Sequence, residues 1–315
     1  VRPTDQHLAI FAGAGELPLI AVRNARAQQI PFTVYHITEA DLHAELASDK
    51  DVVIRQVSLG TVAQTFAHLK ADKITHTILL GKVEKQRLLQ DVRRDAAAEA
   101  IYAAAADRRD DTLFHEFARA LAAMQIEILP QKALLDGCFL PVGELTQKKP
   151  ISASLIEDIE FGYSLSKKIG SLDIGQTAVV FQKMVLAVEA IEGTDAAIRR
   201  AGDIIRGYAS TASLTDAHRA QSEPNASLRT RSLTDAHRAQ SEPDASLRTG
   251  GVVCKTAKTS QDPRFDLPAV GMRTLDTMRD NGMQALVIEA EHTLVVRPAE
   301  FIDHANRHGL IVIGR

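Results

Sequence analysis

The stretch Lys255-Thr-Ala-Lys258-Thr-Ser-Gln261-Asp262-Pro263-Arg264-Phe265-Asp266-Leu267-Pro268 gathers two lysines, an arginine, two aspartates and a glutamine in a short span. Phosphoryl chemistry needs that mixture: cations to neutralise phosphate oxygens, and a carboxylate to hold a metal ion or orient a water. A solvated polar loop accounts for the same composition. Pro263 and Pro268 mark 261–268 as loop. In an extended strand Lys255 and Lys258 point to opposite faces, so the chain must bend if both serve one site.

Ala187-Val-Glu189-Ala-Ile-Glu192-Gly193-Thr194-Asp195 is a second candidate. It reads as a strand that turns into a helix. Asp195 suits a helix N-cap, and with Glu192 it also suits a hard cation such as Mg²⁺, which prefers oxygen ligands. Gly13-Ala-Gly15-Glu-Leu-Pro18 is a third. Glycines between a strand and a helix let the backbone approach a phosphate, and the helix start offers free N–H groups. A tight strand-to-helix turn explains the same residues, and Pro18 stands where a dinucleotide fingerprint needs its third glycine. A nicotinamide-dependent oxidoreductase would rest only on this loop and the α/β pattern. The histidines form no HxH or HExxH pattern, and no GxSxG elbow supports acyl transfer.

The elements that must position these residues follow from hydrophobic period. The first third alternates strands (His7–Ala12, Pro31–Ile37, Val52–Val57, His76–Leu80, Ile126–Leu129) with helices (Leu17–Gln28, Val62–Lys70, Ala96–Ala106, Thr112–Met124). That alternation predicts a parallel sheet with helices on both faces. Gly137, Pro141, Gly143 and Pro150 mark a boundary. It separates an N-terminal α/β domain over 1–136 from a mixed α/β domain over 137–315. The second half predicts a helix over Ala153–Lys168, a long β-rich run over Thr177–Ile191 and a helix over Ala196–Ile205. Strands Val252–Lys255, Ala285–Glu289, Thr293–Val296 and Leu310–Ile313 follow, with helices Thr274–Asp280 and Ala299–Arg307.

Two near-identical copies, 213–231 and 232–250, differ only at Asn225/Asp244 and Arg231/Gly250. They are polar and cannot bury a core. We read 209–249 as a duplicated surface insertion, either without fixed structure or forming short exposed helices from its LTDAHRAQ segments. Long surface insertions cost little closure entropy.

Composition bounds the rest. The chain has 315 residues, net charge −3, 4% aromatic residues and no Trp. It lacks the basic, aromatic-laced signature of a nucleic-acid binder. Cys138 and Cys254 form no CxxC pattern and read as buried thiols. No apolar run reaches the roughly 18–20 residues of a membrane span. The expectation is a cytoplasmic protein that reaches the inner-membrane surface without spanning it.

Taken in order, GAGELP (13–18), DIEFG (158–162), LDIGQ (172–176), AVEAIEGTDAAIRRAG (187–202) and GGVVCKTAKTSQDPRFDLPAVG (250–271) are decisive. Together they resemble the LpxI-type UDP-2,3-diacylglucosamine pyrophosphatases of lipid A biosynthesis. Thr259-Ser260 departs from the usual Pro-Gly of that family. The resemblance implies Mg²⁺-dependent hydrolysis of UDP-2,3-diacylglucosamine to UMP and 2,3-diacylglucosamine 1-phosphate (lipid X), with water attacking the phosphorus next to the sugar. It implies that the first domain is Rossmann-like and the second catalytic, with a lipid product held between them, and a homodimer. With it, Asp262, Lys255, Lys258 and Gln261 become the expected catalytic residues. Asp262, Asp195 and Glu192 become the expected metal ligands. Gly13, Gly15, Gln176, Gly193, Thr194, Arg264 and Asp266 are expected to bind substrate, Asp266 either as a partner of Arg264 or as a ligand itself. The competing expectation is a non-catalytic nucleotide- or lipid-binding protein whose site the insertion has disabled.

Overall fold

A computed structural model describes residues 7–83, 94–105, 110–146, 150–221, 250–258, 262–265 and 267–315. The chain divides into two compact units. One is Val1–Gly137 with Asp262–Leu267; the other is Cys138–Gln261 with Pro268–Arg315. A short segment of the polar loop thus belongs to the first unit, although both stretches flanking it belong to the second.

The first unit runs β1 (Leu8–Ala12), α1 (Leu17–Ala27), β2 (Phe32–Ile37), α2 (Ala44–Ser48), β3 (Ile54–Val57), α3 (Val62–Ala71) and β4 (His76–Leu80). It continues with α4 (Ala96–Ala104), α5 (Asp110–Ala123), β5 (Glu127–Ile128) and α6 (Lys132–Leu135). Its strands are all parallel, in the order β3-β2-β1-β4-β5. Every residue of β1 is buried, as a central strand covered on both faces requires. The strand order reverses between β1 and β4, where ligands of open α/β sheets usually bind. The two loops that leave these strands are stapled there by paired backbone bonds between Ala14 and Lys82, 2.8 and 2.9 Å.

The second unit runs β6 (Gly143–Glu144), α7 (Ala153–Ser171), β7 (Thr177–Phe181), β8 (Met184–Val188), α8 (Thr194–Gln221), β9 (Gly251–Lys255) and β10 (Ala269–Val270). It closes with α9 (Met272–Asp280), β11 (Met283–Ile288), β12 (Leu294–Val295), α10 (Pro298–Arg307) and β13 (Ile311–Gly314). The main sheet is mixed, in the order β6-β13-β11-β9-β7-β8. Alternation divides its two faces. Val252, Cys254, Ala285 and Val287 pack with Leu155 and Ile159 of α7. Val253, Leu286, Ile288 and Val312 pack with Ile198, Leu275, Met278 and Phe301 of α8, α9 and α10.

Two expectations change. The β-rich run over Thr177–Ile191 is a hairpin, with Gln182 and Lys183 both in the left-handed region (φ 50° and 59°). Such turns usually announce themselves with Asn-Gly or Asp-Gly. Here the buried Asp158 carboxylate accepts both turn N–H groups, at 2.8 and 2.6 Å, and supplies what the turn residues lack. One helical turn further on, a Cβ at Gly162 would lie 2.7 Å from Cys254 Sγ, so α7 approaches the sheet closely there. The helix expected over Ala196–Ile205 begins at Thr194 and continues to Gln221, taking in the first LTDAHRAQ stretch. Residues 222–249, the rest of the insertion, lie outside the described residues. Cys138 and Cys254 are buried free thiols, and burial pushes both up from the ordinary thiol range. Among the described residues no helix is long and apolar enough to cross a membrane.

Candidate functional site

Strand period decides where Lys255 goes. Val253 faces α8, so Lys255, two residues on and last in β9, faces α8 as well. Its ammonium donates to Thr194 Oγ1 at the start of that helix, at 2.8 Å. Thr194 Oγ1 in turn donates to Glu189 Oε1 at 2.9 Å. Thr177, the register partner of Lys255 in β7, stands with its hydroxyl 3.5 Å from that of Thr194. Lys255 is 6% exposed and Glu189 8%. Burying both charges is costly unless they are paired and fully hydrogen-bonded.

The bonding is not complete. Glu189 Oε2, Gln176 Oε1 and Thr256 Oγ1 are buried without a hydrogen-bond partner. All three belong to the same sheet end. Gln176 precedes Thr177 and its carbonyl accepts from Thr256 N–H, Thr256 follows Lys255, and Glu189 N–H donates to Thr177 O. Unsatisfied buried oxygens are rare and call for an explanation, an unseen ion or water among them. Glu189 continues the α8 face of Ala187, whereas Gln176 and Thr256 continue the α7 face of Val180 and Cys254, so these oxygens divide between the two sides of the sheet. Gly175 is required here for space: a Cβ would stand 2.0 Å from Glu189 O.

Around this core the charges are paired. Lys258 donates to Asp173 at 2.7 Å. Glu289 accepts from Lys167 at 2.9 and 3.0 Å and from Ala257 N–H at 2.7 Å, which fixes the chain where it leaves β9. Glu192 meets Arg200 at 2.7 Å, and Asp195 meets Arg273 at 3.0 Å. Two of the three expected metal carboxylates, Glu192 and Asp195, therefore each carry a guanidinium, while Glu189 keeps one oxygen uncommitted. Gly193 makes the turn into α8 with φ 85°.

In the first unit, Asp262 and Arg264 form a closed fork. Arg264 donates to the carboxylate through Nε at 3.0 Å, through Nη2 at 2.7 Å and through its backbone N–H at 3.0 Å. The Arg264 hydrogen bond holds the Asp262 carboxyl below its ordinary range, and His115 Nε2 lies 3.7 Å away. The buried Gln131 anchors this turn: its N–H donates to Pro263 O at 3.0 Å, and its amide donates to Leu79 O at 2.8 Å and Phe265 O at 3.3 Å. The Phe265 ring stacks on Phe114 at 5.5 Å. Gln261 and Asp266 lie outside the described residues. Gly13 is needed by the neighbouring loop, since a Cβ on it would lie 2.9 Å from Gly81 C. Gly15 has φ 102° and open space around it.

The LpxI N-terminal domain model matches residues 7–138, and the LpxI C-terminal domain model matches 141–226 and 230–313. The chain belongs to the LpxI family. It is similar to the UDP-2,3-diacylglucosamine pyrophosphatase LpxI of Caulobacter vibrioides, with 29% identity over 98% of this chain and 96% of that protein. The motifs that carry the LpxI resemblance have structural reasons. DIEFG holds the hairpin turn and the close helix approach, LDIGQ supplies Gly175 and Gln176, and AVEAIEGTD supplies Glu189 and Thr194. Sequence reasoning passed over Glu189, Thr177, Thr256, Gln131 and Phe114. The single available signal was Glu189, a carboxylate in an otherwise apolar strand end.

Proposed function

We propose that the chain hydrolyses the pyrophosphate of UDP-2,3-diacylglucosamine, giving UMP and lipid X, as a step of lipid A biosynthesis. The observation that carries this reading is the match to both LpxI domains along the chain, joined to a relative named for that activity. The charge on the pyrophosphate suits Lys255 and Lys258, together with the N–H groups at the start of α8. Gly193 and Gln176 flank that helix start and sheet end, and Thr194 orients oxygens there. Gly15, in the open loop of the first unit, is a further substrate contact.

Apolar surface supports a lipid substrate. Leu172, Ile174 and Ile191 are exposed on the two loops at the Lys255 end of the sheet, and Ile191 is 96% exposed. Isolated apolar side chains need no explanation, but three on adjoining loops suit acyl chains.

In the reaction a water oxygen bonds to the phosphorus next to the sugar, the bond from that phosphorus to the bridging oxygen breaks, and UMP leaves with that oxygen. Asp262, ionised at neutral pH, is the carboxylate assigned to the attacking water or to a metal ion. Arg264 fixes its direction, and Gln261 and Asp266 are assigned to the same polar segment. Glu189 has an uncommitted carboxylate oxygen of the kind that holds Mg²⁺, with Glu192 and Asp195 as further carboxylates. Bound there, Mg²⁺ supplies charge neutralisation on phosphate oxygens.

Incubation with UDP-2,3-diacylglucosamine and Mg²⁺ in ¹⁸O-water, with an EDTA control, tests the proposal by mass spectrometry. Metal-dependent UMP and lipid X, with ¹⁸O in lipid X, is the expected result. Label in UMP overturns the side of attack, and no turnover by folded protein overturns the activity.

A further inference from the structure

In the second unit, α9 and α10 bring together Asp276, His304 and His308. One ligand atom from each lies within 4.8 Å of the others. His304 and His308 are four residues apart, so they rise from one face of α10 and its C-terminal cap. Their rings are 4.6 Å apart. Asp276 comes from the facing helix, and its Oδ1 accepts from His304 Nε2 at 2.9 Å. The backbones beneath are fixed: Leu275, Met278, Phe301 and Ala305 are fully buried in the core. Rigid elements under the ligands are what a metal site requires.

We propose that Asp276, His304 and His308 form a surface site for one borderline divalent transition-metal ion of the zinc, nickel or copper class. Two imidazoles and a carboxylate select these ions over Mg²⁺, which prefers oxygen alone. Bonds of about 2.0–2.1 Å leave room for the ion to replace the Asp276–His304 hydrogen bond, and rotation of the exposed His308 ring closes the rest. His304 also lines an open depression of about 700 Å³ whose wall includes Glu300 and Asp303, giving the ion a path from solvent. The C-terminal end of α10 places its partial negative charge beside the two histidines.

Arg279 opposes the ion. Its Nη1 donates to Asp276 Oδ1 at 2.9 Å and lies 3.5 Å from His308 Nε2, while its Nε donates to Asp280 at 2.8 Å. The site therefore has a built-in competitor, which separates it from a plain tie between two helices. A metal bound here clamps α9 to α10 and stabilises the second unit without entering the hydrolysis.

The test is calorimetric titration of the metal-free 315-residue chain with ZnCl₂ in excess Mg²⁺, paired with thermal melting. The expected result is saturable Zn²⁺ binding that raises Tm. His308→Ala and Asp276→Asn should each weaken it by at least about 10-fold. Arg279→Ala should tighten it several-fold, an outcome that loss of a structural ion pair does not produce. No saturable binding by the parent chain, or unchanged affinity in His308→Ala, overturns the proposal. So does weaker binding in Arg279→Ala.

Discussion

The polar groups at the end of the second unit's sheet and those on the Asp262 turn of the first unit are satisfied to different degrees. At the sheet end, Lys255, Thr194 and Glu189 form a buried chain that stops at an oxygen with no partner, and Gln176 and Thr256 repeat the pattern. On the turn, the Asp262 carboxylate is closed by one guanidinium and one backbone N–H, and Gln131 ties the backbone down from behind. The first arrangement leaves stability unrealised and has ligand chemistry to offer. The second is preorganised: one carboxylate, held ionised and aimed.

Mutation can break this comparison. The largest effect is expected from Lys255→Ala, which should lower kcat by about 10²–10³-fold, the usual loss for one preorganised donor to developing charge. Steady-state kinetics measures it, and cooperative melting should show the fold retained. Asp262→Asn comes next, with a loss of about 10²-fold at retained fold. Full activity in Asp262→Asn removes that carboxylate from the mechanism.

Gln131→Ala sharpens the contrast. It removes no group assigned to chemistry, yet it leaves two carbonyls without their amide donor and should cost about 1–3 kcal/mol in denaturant melts. It should also lower kcat, because the Asp262 turn loses its anchor. A stability loss with kcat unchanged would mean that the turn needs no positioning. The smallest effect concerns Asp72, the C-cap of α3. Arg55 and Tyr35 hydrogen-bond its carboxylate, the Arg55 bond being the larger cause of its lowered pKa. A depressed carboxylate stabilises the fold above its unfolded value of 3.8 and loses that stabilisation as pH falls through the folded one. Acid melts of Arg55→Gln should therefore converge on the parent below that window and diverge above it.

Much of this was legible in the sequence. The alternating strands and helices of the first unit follow from β-branched runs and amphipathic period, and the observed strands fall on the expected ones. Lys255, Thr194 and Asp262 stood out because charged residues and turn formers interrupt apolar runs there. What stayed hidden depends on contacts distant in sequence. The Gln182–Lys183 turn carries no glycine or asparagine, and its stabiliser is Asp158, from the preceding helix. Glu189 looks like an ordinary strand-end acid until Gly175 and Thr194 are seen beside it. The attachment of 262–267 to the first unit is made by Gln131 and Phe114, whose spacing in sequence gives no hint of it.

The most direct test of the sheet-end cluster is Glu189→Gln, which keeps shape and the acceptor for Thr194 while removing the uncommitted carboxylate oxygen. The predicted result is a loss of at least about 10²-fold in UMP release from UDP-2,3-diacylglucosamine, with a cooperative melt showing the fold retained. Parental kcat in a folded Glu189→Gln chain would contradict the assignment of this cluster to the reaction.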